Sequence, residues 1–157
     1  MTEGLTAKKL KTIVFELNKE EYALPVKQVG SIERVMHITR IPQTSPFVKG
    51  VLNLRGVVTP IIDLRARFGL EDIGYTESTR IIIVNLEELA VGLIVDAAYD
   101  VIDIPTDAIE PAPEVIGSVQ VDYIEGVAKL ADRLLILLDM DKVLAKDGLK
   151  GLHEIES

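Results

Sequence analysis

At 157 residues the chain is long enough for one ordinary domain or for two small units sharing an interface, and its 48% hydrophobic against 27% charged residues mark a packed globule. A net charge of -8 and a pI near 4.8 set it against nucleic acid and anionic lipid, and the lack of cysteine removes disulfide scaffolds, thiolate metal sites and cysteine nucleophiles. Aromatics at 4% with no Trp leave few stacking platforms for bases or sugars, so the core must be aliphatic.

The first eleven residues contain no apolar stretch long enough for a signal peptide or a membrane span, so a cytoplasmic setting is expected, without membrane insertion. Val- and Ile-rich runs then follow at 12–17, 22–26, 57–62, 80–85, 90–95, 101–104 and 134–138. Their length and β-branched content predict strands, several with apolar character on both faces. The short polar breaks Asn18-Lys19-Glu20-Glu21 and Glu87-Glu88 and the tight Leu54-Arg55-Gly56 predict hairpins, and hence antiparallel neighbours. Two short helices are predicted, 63–68 opened by Asp63 and closed by Gly69, and 141–147 opened by Asp141 and closed by Gly148. Pro42, Pro46, Pro105, Pro111 and Pro113 mark two segments expected to be irregular.

The chain also repeats itself. At a separation of 69 residues, Ile13 matches Ile82, Leu24 matches Leu93, Val26 matches Val95, Ile32 matches Val101 and Pro42 matches Pro111. Further on the separation is 76, with Gly50 matching Gly126, Leu54 matching Leu130, Val58 matching Leu134, Ile62 matching Leu138 and Asp63 matching Asp139. Aliphatic residues match by chance in any strand-rich chain, but Gly, Pro and Asp recurring in order point to duplication. Asp63 and Asp139 then read as helix-opening caps and the glycines as equivalent turn positions. One unit is expected over 11–70 and the other over 80–149, with the N-terminal strand able to pack across, the pair forming a single body across 1–157. Units this small bury little surface alone and should share an apolar face.

Chemistry-bearing motifs are scarce. His37 and His153 have no partner in sequence, the acids Asp96, Asp100, Asp103, Asp139 and Asp141 fit no calcium loop, and no phosphate-binding glycine loop or nucleophile elbow is present. No catalytic, metal or cofactor residue is assigned. The distinctive stretch is Gly50-Val51-Leu52-Asn53-Leu54-Arg55-Gly56-Val57-Val58-Thr59-Pro60-Ile61-Ile62-Asp63-Leu64. The second copy replaces Asn53, Arg55 and Gly56 by Lys129, Ala131 and Asp132, so packing positions recur while the polar tip differs. Gly56 reads as a turn residue; Arg55 at a turn tip offers a planar, multi-donor group suited to a partner's carboxylates or carbonyls. A small-ligand-binding or hydrolytic protein using a cleft between the lobes is the alternative.

This stretch closely resembles the CheW-type coupling proteins of bacterial chemotaxis, whose signature is Gly-Val-x-Asn-Leu-Arg-Gly-x-x-x-Pro-x-x-Asp-Leu. Glu21-Tyr22-Ala23, Val91-Gly92-Leu93-Ile94-Val95-Asp96 and Arg133-Leu134-Leu135-Ile136-Leu137-Leu138-Asp139 extend the resemblance over nearly the whole chain. It implies an all-β fold of two SH3-like five-stranded barrels with short helices, and a non-catalytic adaptor without cofactor. The implied partners are a chemotaxis histidine kinase, through its regulatory SH3-like domain, and the cytoplasmic tip of a methyl-accepting chemoreceptor. Kinase contact is implied largely on the first barrel and receptor contact in the groove between barrels. The partner-binding residues carried over are Arg55 above all, with Asn53, Leu54, Gly56, Val57, Ile32 and Glu33. Many relatives place a Glu where this chain has Ser31, so Glu33 is the available acid for Arg55.

Overall fold

The computed structural model describes residues 8–42, 45–87, 89–112, 115–116 and 119–144. The strands are β1 (Lys9–Leu17), β2 (Glu20–Pro25), β3 (Val29–Arg34), β4 (Val48–Leu54), β5 (Val57–Asp63), β6 (Arg80–Leu86), β7 (Leu89–Val95), β8 (Ala97–Pro105), β9 (Ile109–Glu110), β10 (Val115–Ile116), β11 (Val119–Gln120), β12 (Ile124–Leu130) and β13 (Arg133–Leu138). Two one-turn helices follow hairpins, α1 (Leu64–Arg67) after β5 and α2 (Met140–Val143) after β13. Each predicted run falls within a strand or, at 26, runs one residue past its end. The strands β3, β4, β9 and β12 carry weaker signals, because glycine and charged residues interrupt their apolar content. In β3, for example, half-buried and exposed residues alternate throughout.

The β1–β2 and β4–β5 hairpins close through positive-φ residues, Asn18 and Lys19 at 55° and 67° and Arg55 and Gly56 at 53° and 86°. Two consecutive left-handed residues match the twist of the flanking strands. Asp63 caps α1 as expected, its carboxylate accepting from the Arg65 and Ala66 backbone N–H groups at 3.0 and 3.4 Å. The second helix opens at the position that the repeat pointed to, two residues before Asp141. Its cap is Asp139, which accepts from the Lys142 N–H at 3.3 Å, so Asp141 lies inside the first turn; Gly148 lies outside the described residues. The strand end fixes the helix start, so the cap is the residue leaving β13, the position that Asp63 holds after β5.

The larger sheets have the orders β8-β1-β2-β13-β12-β9 and β3-β6-β7-β5-β4. The first curls closed, because β9 continues β8 through a single 3-10 turn at Thr106–Ala108 and pairs with β12 at the opposite edge. The second closes by a single bridge in which Thr39, beyond β3, exchanges both backbone hydrogen bonds with Val51 of β4 at 2.8 Å. Both bridges depend on a glycine in the facing strand. A Cβ on Gly50 would stand 2.0 Å from the Thr39 carbonyl oxygen, and one on Gly126 would stand 2.9 Å from that of Glu110.

These barrels do not coincide with the sequence halves expected at 11–70 and 80–149. The hairpin β1–β2 of the first copy sits in the sheet of β8, β12 and β13, whereas β6–β7 of the second copy sits with β3, β4 and β5. Equivalent parallel pairings carry the exchange, Ile61 to Gly92 in one sheet and Leu137 to Ala23 in the other. Equivalent antiparallel ones accompany them, Ile32 to Ile82 and Ile13 to Val101. A repeat offset specifies which residues are equivalent but is silent on which copy donates each hairpin.

The exchange places the main core between the barrels. Phe15, Leu17, Tyr22, Leu24, Ile136 and Leu138 from one sheet pack with Ile62, Ile82, Val84, Val91, Leu93 and Val95 from the other. Smaller clusters fill the barrel interiors, around Val14, Ala23, Ile104 and Leu135 in one and Leu52, Ile61, Ile81 and Ile94 in the other. An aromatic row crosses the junction from Phe15 to Tyr22, Phe68 and Tyr123, with successive centroids 5.6, 6.3 and 5.5 Å apart. Arg67 lies between the Phe47 and Tyr123 rings, 4.9 Å from each centroid, and donates from Nε to the Val143 carbonyl at 2.7 Å.

Candidate interaction site

The β4–β5 turn presents Arg55 outward, its side chain 72% exposed. Asn53 is occupied locally: its Oδ1 accepts the Gly56 N–H at 2.9 Å, which fixes the turn. Barrel curvature brings this tip to β3, where Arg55 Nη2 lies 3.4 Å from Glu33 Oε2. Glu33 is only 16% exposed, so the acid is held while the guanidinium keeps most of its donors free. An ion pair this exposed contributes about 0–1 kcal/mol. Its value lies in aiming Arg55.

Of the residues singled out in the sequence, the structure brings Arg55, Glu33, Asn53 and Gly56 together. Leu54 is half-buried and packs on the barrel interior, which makes it a support for the tip. Ile32 pairs with Ile82 while Glu33 pairs with Ile81, so alternation turns Ile32 to the face opposite Glu33, where it is 40% exposed. Val57 is 59% exposed and its neighbour Val58, which the motif did not single out, is 50% exposed. By the same alternation Val57 and Val58 point to opposite sides of β5, so the cationic tip has exposed apolar surface on both flanks.

The other barrel carries a related corner that motif reading passed over. Ala131, at φ 47°, occupies the turn position equivalent to Arg55, and the arginine appears two residues later as Arg133. Arg133 donates to Glu21 at 2.9 and 3.1 Å and to Asp100 at 3.2 Å, and the Tyr99 hydroxyl donates to Glu21 at 2.8 Å. The hydrogen bonds from Arg133 hold the Glu21 carboxyl below the usual carboxylate range. Burial, followed by the bond to Glu21, pushes the Tyr99 phenol well up. Val101, Tyr99 and Leu134 stand exposed around this network. The signal was present as Ile32 matching Val101 and Val58 matching Leu134, apolar residues repeated at positions the fold leaves in solvent.

Within each corner the charged groups pair, Arg55 with Glu33 and Arg133 with Glu21 and Asp100; neither corner aligns a nucleophile with a base. Among the described residues there is no group of three or more side chains able to hold a metal ion, and no helix is long and apolar enough to cross a membrane.

A CheW-like domain model matches residues 11–148. The chain is 47% identical over 138 residues to the chemotaxis protein CheW of Bacillus subtilis, covering 88% of each. It is 39% identical over 135 residues to the CheW of Klebsiella aerogenes, covering 86% of this chain and 81% of the relative. The crystal structure of the scaffolding protein TtCheW from Thermoanaerobacter tengcongensis superposes with a TM-score of 0.84 at 36% identity, covering 97% of this chain and 98% of that one. The folded core, the Asn53-Leu54-Arg55-Gly56 turn and the duplicated barrels thus come together in one assignment: the chain belongs to the CheW-like domain family.

Proposed function

We propose that the protein is a non-catalytic chemotaxis scaffold that holds a histidine kinase and chemoreceptors in one complex. The relatives it matches are named chemotaxis and scaffolding proteins. The observation that carries the reading is the Arg55 turn, an exposed guanidinium steadied by Glu33 beside exposed Val57 and Val58. The continuous core between barrels holds this face at a set orientation to the Tyr99, Val101 and Leu134 face, so two partners can be engaged at once. The kinase's regulatory SH3-like domain and the cytoplasmic receptor tip are the partners assigned, in the cytoplasm.

The test is Arg55→Glu in a reconstituted system of receptor-containing membranes, kinase and this protein. Reversal places two acids, residue 55 and Glu33, side by side and repels any partner acid. Receptor-dependent kinase stimulation should fall at least roughly tenfold, as loss and reversal of a central charged anchor costs other interfaces. Stimulation unchanged from the parent protein refutes the assignment.

A further inference from the structure

A groove on the second barrel stands apart from both corners. It is open rather than enclosed, about 430 Å³, with Met36, His37, Arg40, Val48, Lys49 and Tyr75 among its lining. That volume is in the range of true ligand sites. One wall is the segment after β3, and it is held rigidly: Thr39 is bonded to Val51 at 2.8 Å in both directions, with Gly50 allowing the close approach. The opposite side carries Tyr75 from the connection between α1 and β6, 50% exposed.

The chemistry of this lining runs against the rest of the surface. The chain carries a net charge of -8, yet the groove gathers His37, Arg40 and Lys49; among the described lining residues there is no carboxylate, the nearest acids to Tyr75 being Asp63 and Asp72 behind it. Arg40 makes no hydrogen bond or ion pair among the described residues. Lys49 leans on Asp63 at 3.7 Å but remains 37% exposed. Apolar residues share the lining, with Met36 39% exposed and Val48 nearly buried at 7%. An enclosed apolar pocket would suit a small molecule. An open groove with cationic and apolar lining suits side chains of both kinds presented together by a polypeptide.

We infer that this groove docks an acidic segment of a partner protein in which carboxylates alternate with aliphatic side chains. The carboxylates face Arg40 and Lys49, and the aliphatic groups cover Met36, Val48 and the Tyr75 ring. The charges of Arg40 and Lys49 also orient the approach of such a segment. This surface is additional to the Arg55 face and does not depend on it.

The test uses the full chain and a fluorescein-labelled amphipathic peptide built from Glu and Leu, with a counterpart carrying Gln for every Glu, followed by anisotropy at matched ionic strength. The Glu peptide should bind, and its Gln counterpart should bind roughly tenfold more weakly or worse. Arg40→Glu should weaken the Glu peptide roughly tenfold, whereas Lys11→Glu, on the other barrel beside Asp103, and Arg55→Glu should leave it unchanged. Amide shifts on binding should fall at 36–40, 47–49 and 75. Because Arg40 is exposed and without a partner among the described residues, its variant should keep the parent's thermal midpoint; Arg40→Gln provides a milder second variant. Equal binding of Glu and Gln peptides, no effect of either Arg40 variant, or an equal effect of Lys11→Glu overturns the inference. So does displacement of the peptide by inorganic phosphate at matched ionic strength, which would make the groove a small-anion site. An intact Arg40 effect with a silent Arg55→Glu in kinase stimulation would fail the scaffold reading alone.

Discussion

The chain passes from one barrel to the other at Asp96, between β7 and β8, and Arg65 of α1 grips it there. Arg65 Nε and Nη2 each donate to the Asp96 carboxylate at 2.9 Å, and Nη1 donates to the Glu71 carbonyl at 2.6 Å. Asp96 Oδ2 also accepts the Asn18 N–H at 2.8 Å, so the carboxylate ties three segments together. Side-chain exposures of 11% and 17% leave little water to replace either partner. Asp96→Ala therefore strands a guanidinium that the fold still covers, at a cost of about 3 kcal/mol, the lower end for breaking such a pair because some solvent reaches it. In a protein of this size that lowers the thermal midpoint by roughly 6–12 °C. Calorimetry of Asp96→Ala, Arg65→Met and the double variant measures it. The double variant should be much less destabilised than the sum of the singles, because it buries no unpaired charge. A loss under about 1 kcal/mol for Asp96→Ala, or additivity within about 0.5 kcal/mol, would show that the pair does not brace the crossover.

Tyr22 is fully buried, and its phenol is pushed far above the ordinary value by burial and then by Glu20, whose carboxylate it meets at 3.2 Å. Its contribution is complete below the unfolded tyrosine value near 10 and is lost as pH rises above it, so Tyr22→Phe, which keeps the ring against Phe15, should shift alkaline unfolding to higher pH. An unmoved alkaline midpoint would contradict this. Gly50→Ala should destabilise by at least about 2 kcal/mol in urea, since its Cβ would collide with the Thr39 carbonyl and open the bridge that closes the second barrel. Arg67→Met should cost about 1–3 kcal/mol through loss of two ring contacts and the bond to Val143. Near-zero change in denaturant midpoint would show that the sandwich is incidental.

Sequence reading recovered the strand-rich class, the duplication and the Asp63 cap because each rests on local chemistry: β-branched runs, ordered Gly and Asp, and a carboxylate preceding a helix. It placed Arg55 at a turn tip for the same reason, and Glu33 proved within reach of it. Arg133, Asp100, Glu21 and Tyr99 were invisible as a set because they come from three separated stretches that meet only when the sheet curls. The N-terminal strand was allowed to pack across, but the reciprocal exchange of whole hairpins was illegible, since parallel pairing of β5 with β7 and of β13 with β2 joins residues about 30 and 114 positions apart with no intervening motif to announce it.

That exchange also governs how the molecule can be cut, copied or fused. A break anywhere in the 71–79 connection yields two pieces, each lacking the exchanged hairpin of one sheet and the remaining strands of the other, so neither piece is a module that can be transplanted. Mixed together, the pieces hold complementary edges and should reassemble as a nicked whole. In this chain the trading of hairpins between copies is intramolecular, so the two copies fold as one cooperative unit.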